Sequence, residues 1–249
     1  MPVMISVTFT WDLAEAERLR RAWRAFFRDV SIGGPACGDR GDRFVPGRFI
    51  KPGVTITSRG CNRQCPWCSV WPREGEVRTL QIMPGHIVQD NNLLACPREH
   101  IEAVFAMLAN ERGVVFAGGL DARLFTAWHR DLLETIAYAE LWFAADTVAS
   151  LATLATVAGL CNGISIEKLR CYVLVGFSGE KLIEAERRLE TVYKLGFLPF
   201  AQLYRAPGQS RWGLSSGESI QRWNALIHKW SRPAAYRCSA KIPATTLFQ

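Results

Sequence analysis

The stretch VTITSRGCNRQCPWCSV, residues 54–70, sets the reading of the chain. Its first part, VTITSRG at 54–60, is a β-branched run and predicts a strand. The strand leads into Cys61, Cys65 and Cys68, spaced three residues apart and then two. Three thiolates from one tight loop can hold three irons of a four-iron cluster and leave the fourth iron without a protein ligand. An open iron can bind a substrate or cofactor, so such a cluster is suited to chemistry as well as electron storage. Two plainer readings compete, a zinc knuckle and ordinary buried cysteines. Structural zinc takes four ligands, usually in paired short-spaced groups. No second Cys-x-x-Cys follows, and Cys37, Cys96, Cys161, Cys171 and Cys238 stand singly. His86 or His100 as a fourth ligand keeps zinc open.

Outward from this loop, apolar runs alternate with helical patterns, which predicts parallel βα units. HIVQDNNLLA at 86–95 reads as a second short strand ending in polar residues. A helix follows from Pro97, with Ile101, Val104, Phe105 and Leu108 on one face. GVVFAGG at 113–119 reads as a third strand before a helix around 123–138, and ELWFAADT at 140–147 as a fourth before a helix around 148–159. LRCYVLVGF at 169–177 is a fifth strand. EKLIEAERRLETVYKLG, a charged amphipathic helix closed by Gly196, leads to a sixth, PFAQLYR at 199–205. Ahead of the cysteine loop, the sequence predicts a strand at Met4–Thr10, a helix at about Leu13–Arg28 and a GGPA turn at Gly33–Ala36. Behind the last strand come the loop APGQSRWG, a helix around 217–231 and a tail that is either mobile or a cover for the sheet. These patterns divide the chain into an N-terminal βα extension (1–50), a body of strand–helix units (51–207) and a C-terminal helix and tail (208–249).

The chain has 249 residues, about half of them hydrophobic, enough for one large domain or two small ones. No apolar run is long enough to span a bilayer, so no membrane partner is expected. The N-terminal stretch has no signal-peptide pattern, and eight cysteines in such a context point to reduced thiols in the cytoplasm. The net charge is +7 and the pI about 9.1, with arginine dominant. That balance favours a polyanionic partner such as DNA or RNA, and equally fits free use of arginine by a GC-rich genome. The nine tryptophans read mostly as core, with stacking platforms for bases as the alternative.

With Trp67 before the last cysteine, the pattern Cys-x3-Cys-x-aromatic-Cys resembles the radical SAM superfamily, and the resemblance covers about residues 54–205. It implies a partial (β/α)6 TIM-type barrel and a [4Fe–4S] cluster on Cys61, Cys65 and Cys68. It also implies S-adenosylmethionine (SAM) on the open iron, cleaved to a 5′-deoxyadenosyl radical, and an electron donor such as flavodoxin or ferredoxin. Trp67 then belongs to the cofactor site. FAGGLDA at 116–122 resembles the glycine-rich string that holds the methionine end of SAM: Gly118 and Gly119 match, Leu120 replaces the glutamate, and Asp121 compensates. A plain tight turn is the alternative. Asp146 and Thr147 in FAADT are implied for the ribose or carboxylate, with helix capping as the alternative. Val175 and Gly176 in YVLVGFSGE resemble the strand that packs on adenine, with Glu180 starting the next helix.

Asp90, with Asn91 and Asn92, is a candidate substrate or SAM contact at a strand end, or else a turn before the Pro97 helix. Gln202, Tyr204 and Arg205 sit at the end of the sixth strand, Arg205 as a cofactor or phosphate contact. Tyr204 and Cys171 are candidate hydrogen-atom donors, with core roles as the alternative. Arg59, Asn62 and Arg63 are either donors toward the cluster sulfurs or solvated loop residues. The N-terminal piece resembles the end of a cobalamin-binding domain. No Asp-x-His-x-x-Gly string is present, so it is expected to be a cap without cobalamin.

The layout resembles small bacterial and phage-type members of the superfamily. The basic charge and the lack of a large substrate domain favour a nucleic acid or nucleotide as substrate. An isomerase-type rearrangement of a hypermodified thymine in phage DNA fits that class. Peptide or protein modification is the enzymatic alternative, and a non-catalytic iron–sulfur or zinc module the alternative from another class. Oligomeric state is left open.

Overall fold

The computed structural model describes residues 2–38, 51–206 and 219–239. The APGQSRWG loop from Pro207 onward and the side chain of Cys238 lie outside the described residues. Within them, the strands are β1 (Val3–Ser6), β2 (Val30–Gly33), β3 (Val54–Thr55), β4 (Ser58–Arg59), β5 (Arg78–Thr79), β6 (Ile87–Val88), β7 (Arg112–Phe116), β8 (Ala137–Ala144), β9 (Leu169–Val175) and β10 (Leu198–Leu203). The α-helices are α1 (Leu13–Arg24), α2 (Val70–Glu74), α3 (Arg98–Leu108), α4 (Ala127–Leu133), α5 (Val148–Leu160), α6 (Leu182–Lys194), α7 (Ile220–Trp230) and α8 (Pro233–Ser239).

The chain is a mixed α/β protein built on a six-stranded sheet in the order β10-β9-β8-β7-β6-β3. Every neighbouring pair in that sheet is parallel, so the strands are laid down in chain order with helices in the crossovers. Alternation along β9 puts Leu169, Cys171, Val173 and Val175 on a fully buried face. Leu141 and Phe143 of β8 join them in the core. Ile101, Val104, Phe105 and Leu108 of α3 close over that face, as the helical spacing predicts. The other face carries Trp142, Tyr172 and Phe200, whose rings contact one another.

Several boundaries differ from those the sequence suggests. VTITSRG is two elements: β3 pairs in the large sheet, and β4 turns away to pair antiparallel with β5. HIVQDNNLLA keeps only Ile87–Val88 as strand, because Asp90, Asn91 and Asn92 spend their polar groups on neighbouring loops and Leu93–Ala95 form a 3-10 turn. The helix expected around 123–138 is α4 alone, capped at Thr126, and β8 already begins at Ala137.

The N-terminal segment is β-α-β: β2, unseen in the sequence, pairs parallel with β1 in its own two-stranded sheet. The GGPA segment follows β2 and enters a 3-10 turn at Pro35–Cys37. The tail is not loose over 220–236. Trp223, Leu226, Trp230 and Tyr236 are buried in the main core, and Ser231 donates to the Ala201 carbonyl. No helix among the described residues is long and apolar enough to cross a membrane.

Candidate active site at the cysteine loop

The β4–β5 pair brackets the cysteine loop and fixes its ends. Gly60 has φ +86°, and a Cβ there would stand 2.0 Å from the Glu76 carbonyl, so glycine is required just before Cys61. The Cys61 amide donates to the Gly75 carbonyl at 3.0 Å, and Asn62 Oδ1 accepts from the Val77 amide at 3.1 Å. Behind the loop, the fully buried Glu74 carboxylate binds the guanidinium groups of Arg59, Arg73 and Arg78. A buried carboxylate needs that compensation, and the three arginines tie the loop to both strands.

Cys61, Cys65 and Cys68 line one cavity of about 380 Å³, together with Asn92, Gly118, Gly119, Asp121, Asp146, Thr147 and Tyr172. Cys61 Sγ accepts from the Arg63 amide and from Asn92 Nδ2, both at 3.4 Å; Cys68 Sγ accepts from the Val70 amide at 3.5 Å. Burial pushes the Cys68 thiol up from its ordinary value. The seven cysteines with described side chains are all free thiols. Among the described residues, no three His, Cys, Asp or Glu side chains converge to hold one metal ion, whereas a four-iron cluster takes one thiolate on each of separate irons.

Asp121 is the electrostatic anchor of one wall. It accepts from Arg123 Nε at 2.7 Å, and from Arg63 Nε and Asn92 Nδ2, each at 3.2 Å. Burial alone would raise its pKa, but the hydrogen bonds from Arg123 and the charges of Arg123 and Arg63 outweigh it and hold the carboxyl below its ordinary value. Asp146 is the opposite case. Burial raises it, against hydrogen bonds from the Leu174 amide and Trp67 Nε1. Thr147 caps α5 through a reciprocal bond pair with Ser150, so the capping role holds while its side chain also lines the cavity.

Gly118 and Gly119 both line the cavity, and each is a glycine for a different reason. At Gly118 a Cβ would stand 2.1 Å from the Asp90 carbonyl, so this glycine lets two strand ends approach. Gly119 has φ +88°, and a Cβ there would only touch the Trp142 carbonyl at 3.9 Å.

Six expected site residues lie outside this cavity: Asp90, Val175, Cys171, Gly176, Tyr204 and Arg205. Asp90 is 2 % exposed and accepts from the Thr57 amide and from the Thr57 and Ser58 hydroxyls. It is a brace between the ends of β3 and β6, outside the cavity lining. Val175 and Cys171 point into the core, because strand alternation turns Tyr172 and Leu174 the other way. Gly176 is buried, with φ +79°, and its amide donates to the Glu180 carboxylate. Glu180 in turn holds the buried Arg188.

Tyr204 and Arg205 line a second cavity of about 720 Å³ on the other side of Trp67. Arg205 there lies over the Trp11 ring, 3.8 Å from its centroid. Trp67 and Cys68 line both cavities. Asn91 and Asn92, read as candidates beside Asp90, do line the first cavity. Arg123 and Tyr172 are lining residues that sequence reasoning did not single out; the signals were spacing of two from Asp121 and alternation along YVLV.

No family model matches the chain, and no curated protein matches it either.

Proposed function

We propose that the protein is a radical SAM enzyme, with Cys61, Cys65 and Cys68 holding a [4Fe–4S] cluster and SAM occupying the cavity beside them. The observation that carries this reading is that the three thiols share a cavity wall with Gly118, Gly119, Asp121, Asp146 and Thr147. The donor set fits a cluster. The thiols come from one loop, N–H donors reach two of the sulfurs, and the Arg63 and Arg123 guanidiniums lie nearby to offset negative charge. The chain-order parallel sheet fits the partial (β/α)6 barrel of that superfamily, whose sites lie at the C-terminal strand ends.

When bound, the reduced cluster and SAM supply a 5′-deoxyadenosyl radical that takes a hydrogen atom from substrate. The chain's own residues hold the reactants. Backbone at Gly119 gives close approach, Asp146 and Thr147 offer acceptors for hydroxyl or amino groups, and Trp67 walls off the cavity. Neither Asp90 nor Cys171 serves the reaction directly in this reading, since both are buried away from the cavity. The substrate is a nucleic acid or nucleotide, supported by the net charge of +7. A reducing partner such as flavodoxin or ferredoxin supplies the electron.

Two measurements test this. Reconstituted, dithionite-reduced protein should release 5′-deoxyadenosine from SAM; no release from protein with a full cluster sinks the radical SAM reading. Oligonucleotide binding should weaken steeply with salt, with a log–log slope of about −4.5 for about five phosphate contacts on duplex DNA. No binding to DNA or RNA at low salt sinks the substrate class alone.

A further inference from the structure

The second cavity lies between the N-terminal β-α-β unit, the cysteine loop and the end of β10. Phe9 and Trp11 stack with ring centroids 4.6 Å apart and planes 6° from parallel. They are 49 % and 37 % exposed, an unusual state for adjacent large aromatics. With the Arg205 guanidinium over Trp11, three flat groups form one column with Trp11 in the middle, so a further ring adds at an end of the column, and that end is the stacking platform. Trp67 and Tyr204 also line the cavity, and each packs edge-on against Phe177. Arg205 and Arg73, the latter one of three arginines that share the single Glu74 charge, contribute positive charge, and no described lining residue is a carboxylate. The cavity volume, about 720 Å³, lies within the ~300–1,000 Å³ typical of small-ligand sites.

We propose that this cleft binds a nucleotide unit, its base stacked on the Phe9–Trp11–Arg205 platform and its phosphate held by Arg73 and Arg205. The inference rests on the nucleic-acid reading of the substrate above and assigns it a place. Flat π-faces and planar guanidiniums are the groups that hold unstacked bases without reading their sequence. A lining with two arginines and no carboxylate among the described residues favours an anion. Trp67 and Cys68 line both cavities, so a nucleotide seated here sits against the residues that also bound the cysteine cavity. A base must leave its duplex stack to enter, which favours single strands.

The test uses full-length, reconstituted protein and four fluorescent or competing probes: a single-stranded oligo-dT, the same sequence as duplex, free dTMP, and ribose 5-phosphate. Trp11→Leu and Phe9→Leu should each weaken oligo-dT binding by about 5- to 150-fold, with Trp11→Phe restoring most of it. Trp23→Leu, at an exposed tryptophan on α1 outside the cleft lining, should change nothing. The second variant guards against misfolding of the first, because Phe9 is half-exposed and leucine keeps its apolar bulk. Single-strand preference supports a strand as the source, and dTMP binding as tight as oligo-dT supports a free nucleotide. Wild-type binding that neither leucine variant alters overturns the cleft while leaving the nucleic-acid reading intact. So does ribose 5-phosphate binding as tightly as dTMP, because the platform then contributes nothing. Failure of the wild-type protein to bind any base-containing probe overturns both.

Discussion

Trp67 Nε1 donates a hydrogen bond to Asp146 Oδ2 at 3.2 Å, joining the cysteine loop to the end of β8 across 79 residues of chain. The same carboxylate accepts from the Leu174 amide at 3.0 Å, so one side chain ties two strand ends to the loop. Trp67→Phe keeps the ring and removes the donor. It should lower stability by about 0.5–1.5 kcal/mol in denaturant melts. Unchanged stability would mean that the contact contributes nothing to holding the loop.

The three cysteines of the loop should behave differently from the buried ones. Cys65→Ala should abolish iron retention after reconstitution, as should Cys61→Ala and Cys68→Ala. Cys96→Ala and Cys161→Ala remove buried thiols of the hydrophobic core and should keep the iron at a modest loss of stability. Iron content by colorimetric assay reads the difference. Retention in Cys65→Ala would break the assignment.

Neighbouring glycines should fail in different ways. Gly118→Ala forces a Cβ onto the Asp90 carbonyl and should destabilise the fold by about 1–3 kcal/mol. Gly119→Ala meets only the Trp142 carbonyl, at 3.9 Å, and carries the strain of a positive φ, about 1–2 kcal/mol. If the string holds SAM, Gly119→Ala should weaken SAM binding at least ~10-fold, equivalent to about 1.4 kcal/mol, with normal cluster content. Equal SAM affinity by calorimetry would remove Gly119 from the site.

Asp90 should prove structural. Asp90→Asn replaces an acceptor-only group that satisfies three donors and should destabilise by about 1–3 kcal/mol. Burial raises the Asp90 pKa above the ordinary value of about 3.9. The folded state therefore holds this proton to higher pH than the unfolded state does. The resulting stability is present below the unfolded pKa and is lost as pH rises through the folded one. Asp90→Asn should remove that slope from a stability–pH profile measured from pH 3 to 7. An unchanged slope would mean that another group sets it.

The parallel alternation was legible because β7, β8, β9 and β10 are long enough to carry their own apolar pattern. β3 and β6 are two residues each, and tertiary pairing rather than local propensity makes them strands. β2 was hidden because Val30–Gly33 is short and leads directly into the GGPA turn. The cysteines and glycines that spacing picked out in the sequence line one cavity. Asp90 misled because a polar residue at a strand end reads the same whether it faces a cavity or braces a loop. Val175 misled because alternation gives two faces without saying which is open. Tryptophan divides the same way: Trp223 and Trp230 are core, whereas Trp11 and Trp23 remain exposed. The Glu74–arginine hub was unreadable because its partners meet only after β4 and β5 pair.

The most direct test of the account is metal and sulfide content of the protein purified and reconstituted without oxygen. The account predicts about four irons and four sulfides per chain, with broad visible absorption that bleaches on reduction. One zinc per chain, with no bound sulfide and no visible absorption, would contradict it.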